Sequence, residues 1–242
     1  MCEFSIKIAN LYIKIVCNYE TSKRYCEDYI VSNAENCDFE VKIDKSDLAY
    51  TLELLNKGNH RDEEKQDEYL EIISIHGKIA IKLPEFGKFI IHGAAISYKD
   101  KGYLFLAPSG TGKTTHINLW KSNLDGVEII NGDKPIISLE NDKTYVYGTP
   151  WSGSERFNTN KRVKLQSIIL LKRGGKDEIV EIDKQEVLKE LLDKIYYPDS
   201  VKERTKTLEL INEAFKNVKS YELKCTMNKS AFTEAYKALV EE

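Results

Sequence analysis

Ala107-Pro108-Ser109-Gly110-Thr111-Gly112-Lys113-Thr114-Thr115 is the stretch on which the fold reading turns. Its tail fits G-x-x-x-x-G-K-[ST], with Ala107 standing where the pattern has its first glycine. Gly110 and Gly112 permit backbone angles that aim successive N–H groups at one point. A helix starting near Lys113 adds its positive N-terminal end. Lys113 then offers a point charge to phosphates, and the Thr114 hydroxyl offers a ligand to Mg²⁺. Ser109, Gly110, Thr111, Gly112, Lys113, Thr114 and Thr115 are therefore the expected nucleotide-binding residues.

The flanks suit that reading. The apolar run Tyr103–Leu106 precedes the loop as a strand, and a helix from about Lys113 to Lys121 follows it. Val127–Ile130 is a further apolar run, ending at Asn131-Gly132-Asp133, twenty residues after Lys113. A carboxylate there could hold Mg²⁺ or accept a proton from an attacking hydroxyl, although Asn-Gly-Asp also reads as a plain turn. A hairpin follows at once, Pro135–Leu139 and Thr144–Tyr147 around Glu140-Asn141-Asp142-Lys143. An ordinary parallel nucleotide-binding sheet would continue with βα units instead. An α/β fold with a mixed, partly antiparallel sheet is expected.

Working outward, Phe89–Ser97 reads as one buried strand containing His92, and Leu165–Leu171 and Ser220–Lys224 as further strands. Helices are expected over Glu68–Leu83, Gln185–Ile195, Val201–Val218 and Ser230–Val240. Phe4–Ile8 and Leu11–Val16 alternate as strands around Ala9-Asn10, and Phe39–Ile43 alternates too. The polar stretch Lys57–Gln66 and the loop Thr149–Asn160 are the expected mobile parts.

The chain has 242 residues, 41% of them hydrophobic and 31% charged, enough for a sizeable core and unlike a disordered chain. Its net charge of −3 argues against a nucleic-acid binder. No apolar run is long enough to cross a membrane. The five cysteines show no C-x-x-C spacing and read as free thiols in a reducing cytoplasm. Of the 36 basic residues only six are arginine, so each Arg merits inspection. Arg156, with Arg162 as second choice, lies nearest the motifs. His116 is expected to face solvent, and His60 and His76 to lie at the surface.

In order, His92-Gly93-Ala94, the loop 107–114, Asn131-Gly132-Asp133-Lys134-Pro135 and Gly148-Thr149-Pro150-Trp151-Ser152-Gly153 form a series. That series resembles the HPr kinase and phosphoenolpyruvate carboxykinase superfamily. It is most similar to the short HPr-kinase-related proteins found beside peptide-modification genes, lasso-peptide kinases among them. The resemblance covers residues 66–242, leaving 1–65 as a small N-terminal α+β region. It implies a kinase using ATP and Mg²⁺, with Lys113 on the phosphates and Thr114 and Asp133 on the metal. Asp133 matches the second residue of the family's acidic pair, and Gly132 stands where the first would be. His92 matches a histidine near the phosphates, and Arg156 is a candidate phosphate clamp. The implied catalytic set is Asp133, His92, Lys113 and Arg156. The implied acceptor is a hydroxyl, on Ser or Thr of a peptide or on a small molecule. A small-metabolite kinase and a nucleotide-binding regulatory subunit remain alternatives, and homo-oligomer formation stays open.

Overall fold

The structure is a computed structural model and describes residues 1–32, 36–57, 66–108, 110–198 and 200–241. Ser109, His60 and most of the expected 57–66 loop lie outside the described residues. The chain divides into two compact units, Met1–Lys82 and Leu83–Glu242.

In the first unit, β1 (Cys2–Ile8) and β2 (Leu11–Cys17) pair antiparallel around Ala9 and Asn10. Both turn residues have positive φ, 49° and 64°, the backbone of a tight two-residue hairpin. Strand β3 (Ile30–Val31) adds beside β1, and β4 (Phe39–Lys42) runs parallel to β2, giving the order β3-β1-β2-β4. Alternate residues Phe4, Ile6, Ile8, Ile13 and Ile15 are buried, the period of two that a one-sided sheet requires. Three helices belong here: α1 (Glu20–Tyr25), α2 (Lys45–Lys57) and α3 (Asp67–Lys82).

The boundary falls after Lys82 and not at the 65/66 division expected from sequence, because α3 is tied to the first unit. Its Lys78 ammonium donates to the Lys42 carbonyl at 2.8 Å and to Asp47 at 2.7 Å. Its Glu71, fully buried, accepts from Asn18 N, Asn18 Nδ2, Tyr19 N and Ser22 Oγ at 2.7–3.0 Å. That carboxylate caps α1, whose own N-terminal residue Tyr19 supplies no side-chain cap. His76 is buried on α3, not at the surface: the helix turns it inward with Ile75 and Ile79.

The second unit holds a nine-stranded mixed sheet, ordered β5-β9-β10-β11-β7-β6-β8, with β13 on β11 and β12 on β13. The strands are β5 (Lys88–Ile90), β6 (Ala94–Tyr98), β7 (Lys101–Leu106), β8 (Glu128–Asn131), β9 (Ile136–Glu140), β10 (Lys143–Tyr147), β11 (Arg162–Arg173), β12 (Glu178–Glu181) and β13 (Lys219–Cys225). The helices are α4 (Lys113–Asn123), α5 (Lys184–Leu191), α6 (Val201–Ala214) and α7 (Lys229–Tyr236). Central β7 pairs parallel with β11 and antiparallel with β6. Leu104 and Leu106 point into one core with Val187, Ile211 and Phe215 from the α5/α6 side. Tyr103 and Phe105 point into the other with Ile117, Trp120 and Phe232 from α4 and α7. Helices thus cover both faces, which is why β7 reads as an unbroken apolar run.

The stretch 89–97 is not a single strand: β5 pairs with β9, β6 lies on β7, and His92-Gly93 bridges the gap. The Gly93 amide donates to the Asp133 carbonyl and the His92 amide to that of Lys194, both at 2.9 Å. A Cβ on Gly93 would lie 2.8 Å from Leu106 Cδ2 and 3.1 Å from the Phe105 carbonyl, so a larger residue at the crossover would have to displace the buried Leu106 side chain.

Candidate functional site

Strand β7 delivers the chain to the glycine loop, and α4 carries it away. Gly110 and Gly112 take φ of +74° and +112°, backbone that other residues adopt only under strain. Gly112 is the N-cap of α4 and brings no side chain of its own to the helix's first amides. Met227, at the corner between β13 and α7, lies 2.9–3.0 Å from where a Gly112 Cβ would stand. Lys113 is buried and its ammonium donates to the Ala107 carbonyl at 3.0 Å. Burial pushes its pKa down; the Asp133 charge opposes that, and the Lys134 and Lys194 cations add to it.

Opposite the loop, Asn131 builds the turn that presents Asp133. Its Oδ1 accepts from the amides of Asp133 at 2.8 Å and Lys134 at 2.7 Å, an Asx turn. Its Nδ2 donates to the carbonyl and hydroxyl oxygens of Thr149, each at 3.0 Å. The Thr149 hydroxyl donates in turn to the Lys134 carbonyl at 2.7 Å. Asn131 and Thr149 are both fully buried, so the start of the 149–160 loop is locked. Gly153–Arg156 form an exposed run near its middle.

Asp133 is held from two sides. His92 Nε2 lies 3.1 Å from Oδ1 and Lys134 Nζ 2.9 Å from Oδ2. Burial alone would raise the Asp133 pKa, but the His92 hydrogen bond and the Lys134 cation outweigh it. They hold the carboxyl well below the usual carboxylate range. Gly132 has a local reason as well. A Cβ there would sit 2.9 Å from the Ser152 carbonyl, and its amide donates to the Phe157 carbonyl at 2.8 Å. An acidic side chain does not fit this backbone.

These parts meet around one cavity of about 420 Å³. His92, Lys113, Thr114 and Asp133 line it, as do Gly110, Gly112 and Thr115 of the loop. Thr111 is not among the lining residues, and Ser109 is outside the described residues. Gly132, Ser152–Glu155, Phe157 and Met227 complete the wall. Thr114 and Asp133 are among the oxygen-bearing side chains on this wall that could hold a divalent cation. Among the described residues no three His, Cys, Asp or Glu gather to hold a metal by themselves, so further ligands would come from phosphate or water.

Two expected residues stand elsewhere. Arg156, exposed and with φ of +51°, lines an adjoining depression with Lys121 and Phe157, not this cavity. Arg162 pairs with Glu140 at 2.5 Å and donates to Tyr147 Oη at 3.0 Å, in a network away from the cavity. His116 does not face solvent. It is buried behind the loop, its Nε2 accepts from Trp120 Nε1 at 3.1 Å, and burial pushes its pKa down to about 4.

No family model matches the chain, and no curated protein matches it. Among solved structures it is similar to the Hpr(Ser) kinase/phosphatase from Coxiella burnetii, with a TM-score of 0.36 and 9% identity. The match covers 63% of this chain and 97% of that one, a distant likeness.

Sequence reasoning gave no individual role to Lys134, Arg173 or Met227, and read Asn131 only as part of a turn and a motif. Asn131 carried a usable signal, since Asn-Gly-Asp invites an Asx turn. Arg173 carried none: its Nη2 donates to the Gly110 carbonyl at 2.6 Å across 63 residues of sequence.

Proposed function

We propose that this chain is a phosphotransferase that binds ATP with Mg²⁺ on the glycine loop and transfers the γ-phosphoryl group to a hydroxyl. The observation that carries this reading is the shared cavity, with Lys113 and Thr114 at one wall and the His92–Asp133 pair at the other. In such transfer the acceptor oxygen bonds to the γ-phosphorus while the bond to the β–γ bridging oxygen breaks, releasing ADP. The loop amides and Lys113 would neutralise the phosphate charge. Mg²⁺, when bound, would supply further charge neutralisation between the phosphates. Asp133 would accept the hydrogen bond of the acceptor hydroxyl and orient it. A loose transition state needs little proton transfer before the phosphorus bond breaks, and the hydroxyl proton would pass to Asp133 or to solvent as the new ester bond completes. His92 would fix the carboxylate.

Serine or threonine of a peptide is the acceptor we favour, on the resemblance carried by the separated motifs. A second reading, a nucleotide-binding subunit with little turnover, draws support from Lys134, which occupies the second Asp133 oxygen. Labelled ATP, offered with candidate hydroxyl peptides and a panel of hydroxy-metabolites, separates the readings. Label in a peptide supports the kinase; label in a metabolite moves the acceptor; ATP binding without transfer supports the subunit. Lys113→Ala should abolish most of the thermal stabilisation by ATP and Mg²⁺, and a variant that binds as the parent does would sink the loop assignment.

A further inference from the structure

Strand β11 is longer than its neighbour requires. Its last pair with β7 is Leu170 with Leu106, yet it runs on beside β13 until Arg173 stands opposite Cys225. The Gly174 amide then donates to the Cys225 carbonyl at 3.1 Å and turns the chain. The overshoot lifts Arg173 past the end of β7 to the height of the glycine loop, where its guanidinium meets the Gly110 carbonyl at 2.6 Å. No heavy atom beyond its chain neighbours lies within 4 Å of where a Gly110 Cβ would stand, so that side of the residue is open. A trans peptide is planar, so drawing the Gly110 carbonyl toward Arg173 points the Thr111 amide the opposite way. That amide donates to the Pro108 carbonyl at 3.3 Å, a long hydrogen bond inside the loop's own turn.

The other end of the same turn acts on the second glycine. Asp177 accepts from Thr226 N at 2.6 Å, Thr226 Oγ1 at 3.1 Å and Ser230 Oγ at 2.5 Å. It thereby holds the corner that sets Met227 against Gly112. Arg173 thus contacts Gly110 directly, while Asp177 holds the corner that carries Met227 to Gly112.

We propose that Arg173 is a positioning residue for the glycine loop, its guanidinium setting the tilt of the Gly110–Thr111 peptide and hence the affinity for a polyphosphate. Its guanidinium is hydrogen-bonded to that loop. The proposal rests on the phosphate-binding reading above. It adds a residue that approaches from behind the loop and does not line the cavity.

Binding of inorganic tripolyphosphate and of Mg²⁺–ATP to wild type, Arg173→Ala and Arg173→Lys tests it, with melting of each free protein alongside. Arg173→Ala should weaken both ligands about tenfold, the scale of one hydrogen bond from a charged donor. The KM for ATP should rise while that for the acceptor stays. Arg173→Lys should recover part of the affinity, and tens of millimolar guanidinium ion should restore Arg173→Ala without affecting wild type. The proposal falls if Arg173→Ala binds both ligands as wild type does. It also falls if binding is lost and neither lysine nor guanidinium recovers it, for then the residue serves folding alone. A wild-type chain that binds neither ligand overturns the phosphate reading itself, and this proposal with it.

Discussion

Lys134 Nζ lies 2.9 Å from Asp133 Oδ2, on the carboxylate oxygen that His92 leaves open. A metal ion held by Asp133 would have to compete with this ammonium for the oxygen. A partly exposed ion pair is worth about 0.5–1 kcal/mol, so displacing this one is a small but measurable cost. Lys134→Met should lower the Mg²⁺ concentration for half-maximal stabilisation by ATP about threefold, the same energy expressed as a concentration ratio. Titration of Mg²⁺ at fixed ATP, followed by thermal melting, reads this directly. An unchanged or raised requirement would mean that lysine and metal do not compete for this oxygen. Asp133→Asn, by contrast, should cut turnover at least about a hundredfold while nucleotide binding partly survives.

His116 governs a different response. Its folded pKa is about 4 against an ordinary 6.5, because burial penalises the imidazolium. The Nε2 accepts from Trp120, which puts the neutral ring's proton on Nδ1, where no partner is found among the described residues. Between pH 6.5 and 4 the unfolded chain takes up a proton that the folded chain refuses, so stability falls as pH falls through that window. The full effect is on the order of 3 kcal/mol. Asp133 acts in a separate window. Its depressed pKa adds stability above the ordinary carboxylate value of 3.8 that is lost only on further acidification. Urea unfolding at several pH values should give a slope between 6.5 and 4 that His116→Phe removes. A slope that survives the substitution would place the titration elsewhere.

The glycine loop, Asp133 and the Ala9-Asn10 hairpin were legible because each is local: spacing, turn chemistry and alternation lie within a few residues. What was not legible depends on distant partners. The break at His92-Gly93 follows from Leu106 pressing on Gly93 and from hydrogen bonds reaching across to Asp133 and Lys194. His76 and His116 were misread because both helices turn them inward, and polarity alone does not give a helix its rotational phase. Helix α2 was missed since Lys45–Lys57 buries only Leu48 and Thr51 and so lacks a clear apolar stripe. Arg156 lay near the motifs in sequence yet lines the adjoining depression, whereas Arg173, far away in sequence, reaches the loop.

Glu71 provides a test of the first unit. Four donors converge on its buried carboxylate, two of them amides at the start of α1. Glu71→Ala strands those donors and should cost about 2–4 kcal/mol, since buried donors left without acceptors lose their full desolvation energy. Glu71→Gln keeps one acceptor oxygen and should fall between. Urea unfolding with far-ultraviolet circular dichroism measures both. A loss below about 0.5 kcal/mol for the alanine variant, the level of an ordinary surface change, would show that water replaces the carboxylate.

Gly132 invites an attempt to restore a second acid beside Asp133, and the structure argues that this fails. The Ser152 carbonyl occupies the space at 2.9 Å from any Cβ on residue 132, and Phe157 Cβ follows at 3.5 Å. The obstacle is backbone, and the segment carrying it is locked through Thr149 and the buried Asn131. Gly132→Ala should therefore cost about 1–3 kcal/mol, the scale of overpacking in a dense site. Gly132→Asp should cost more, because it adds a carboxylate beside Asp133 and like charges that close raise each other's cost of ionisation. Neither variant should gain activity. Thermal melting and labelled-ATP transfer, run on both, give the answer. A Gly132→Asp chain that melts as the parent does and turns over faster would mean that the loop at Ser152 yields easily. Asp133 would then be working short of a partner that the fold has room for.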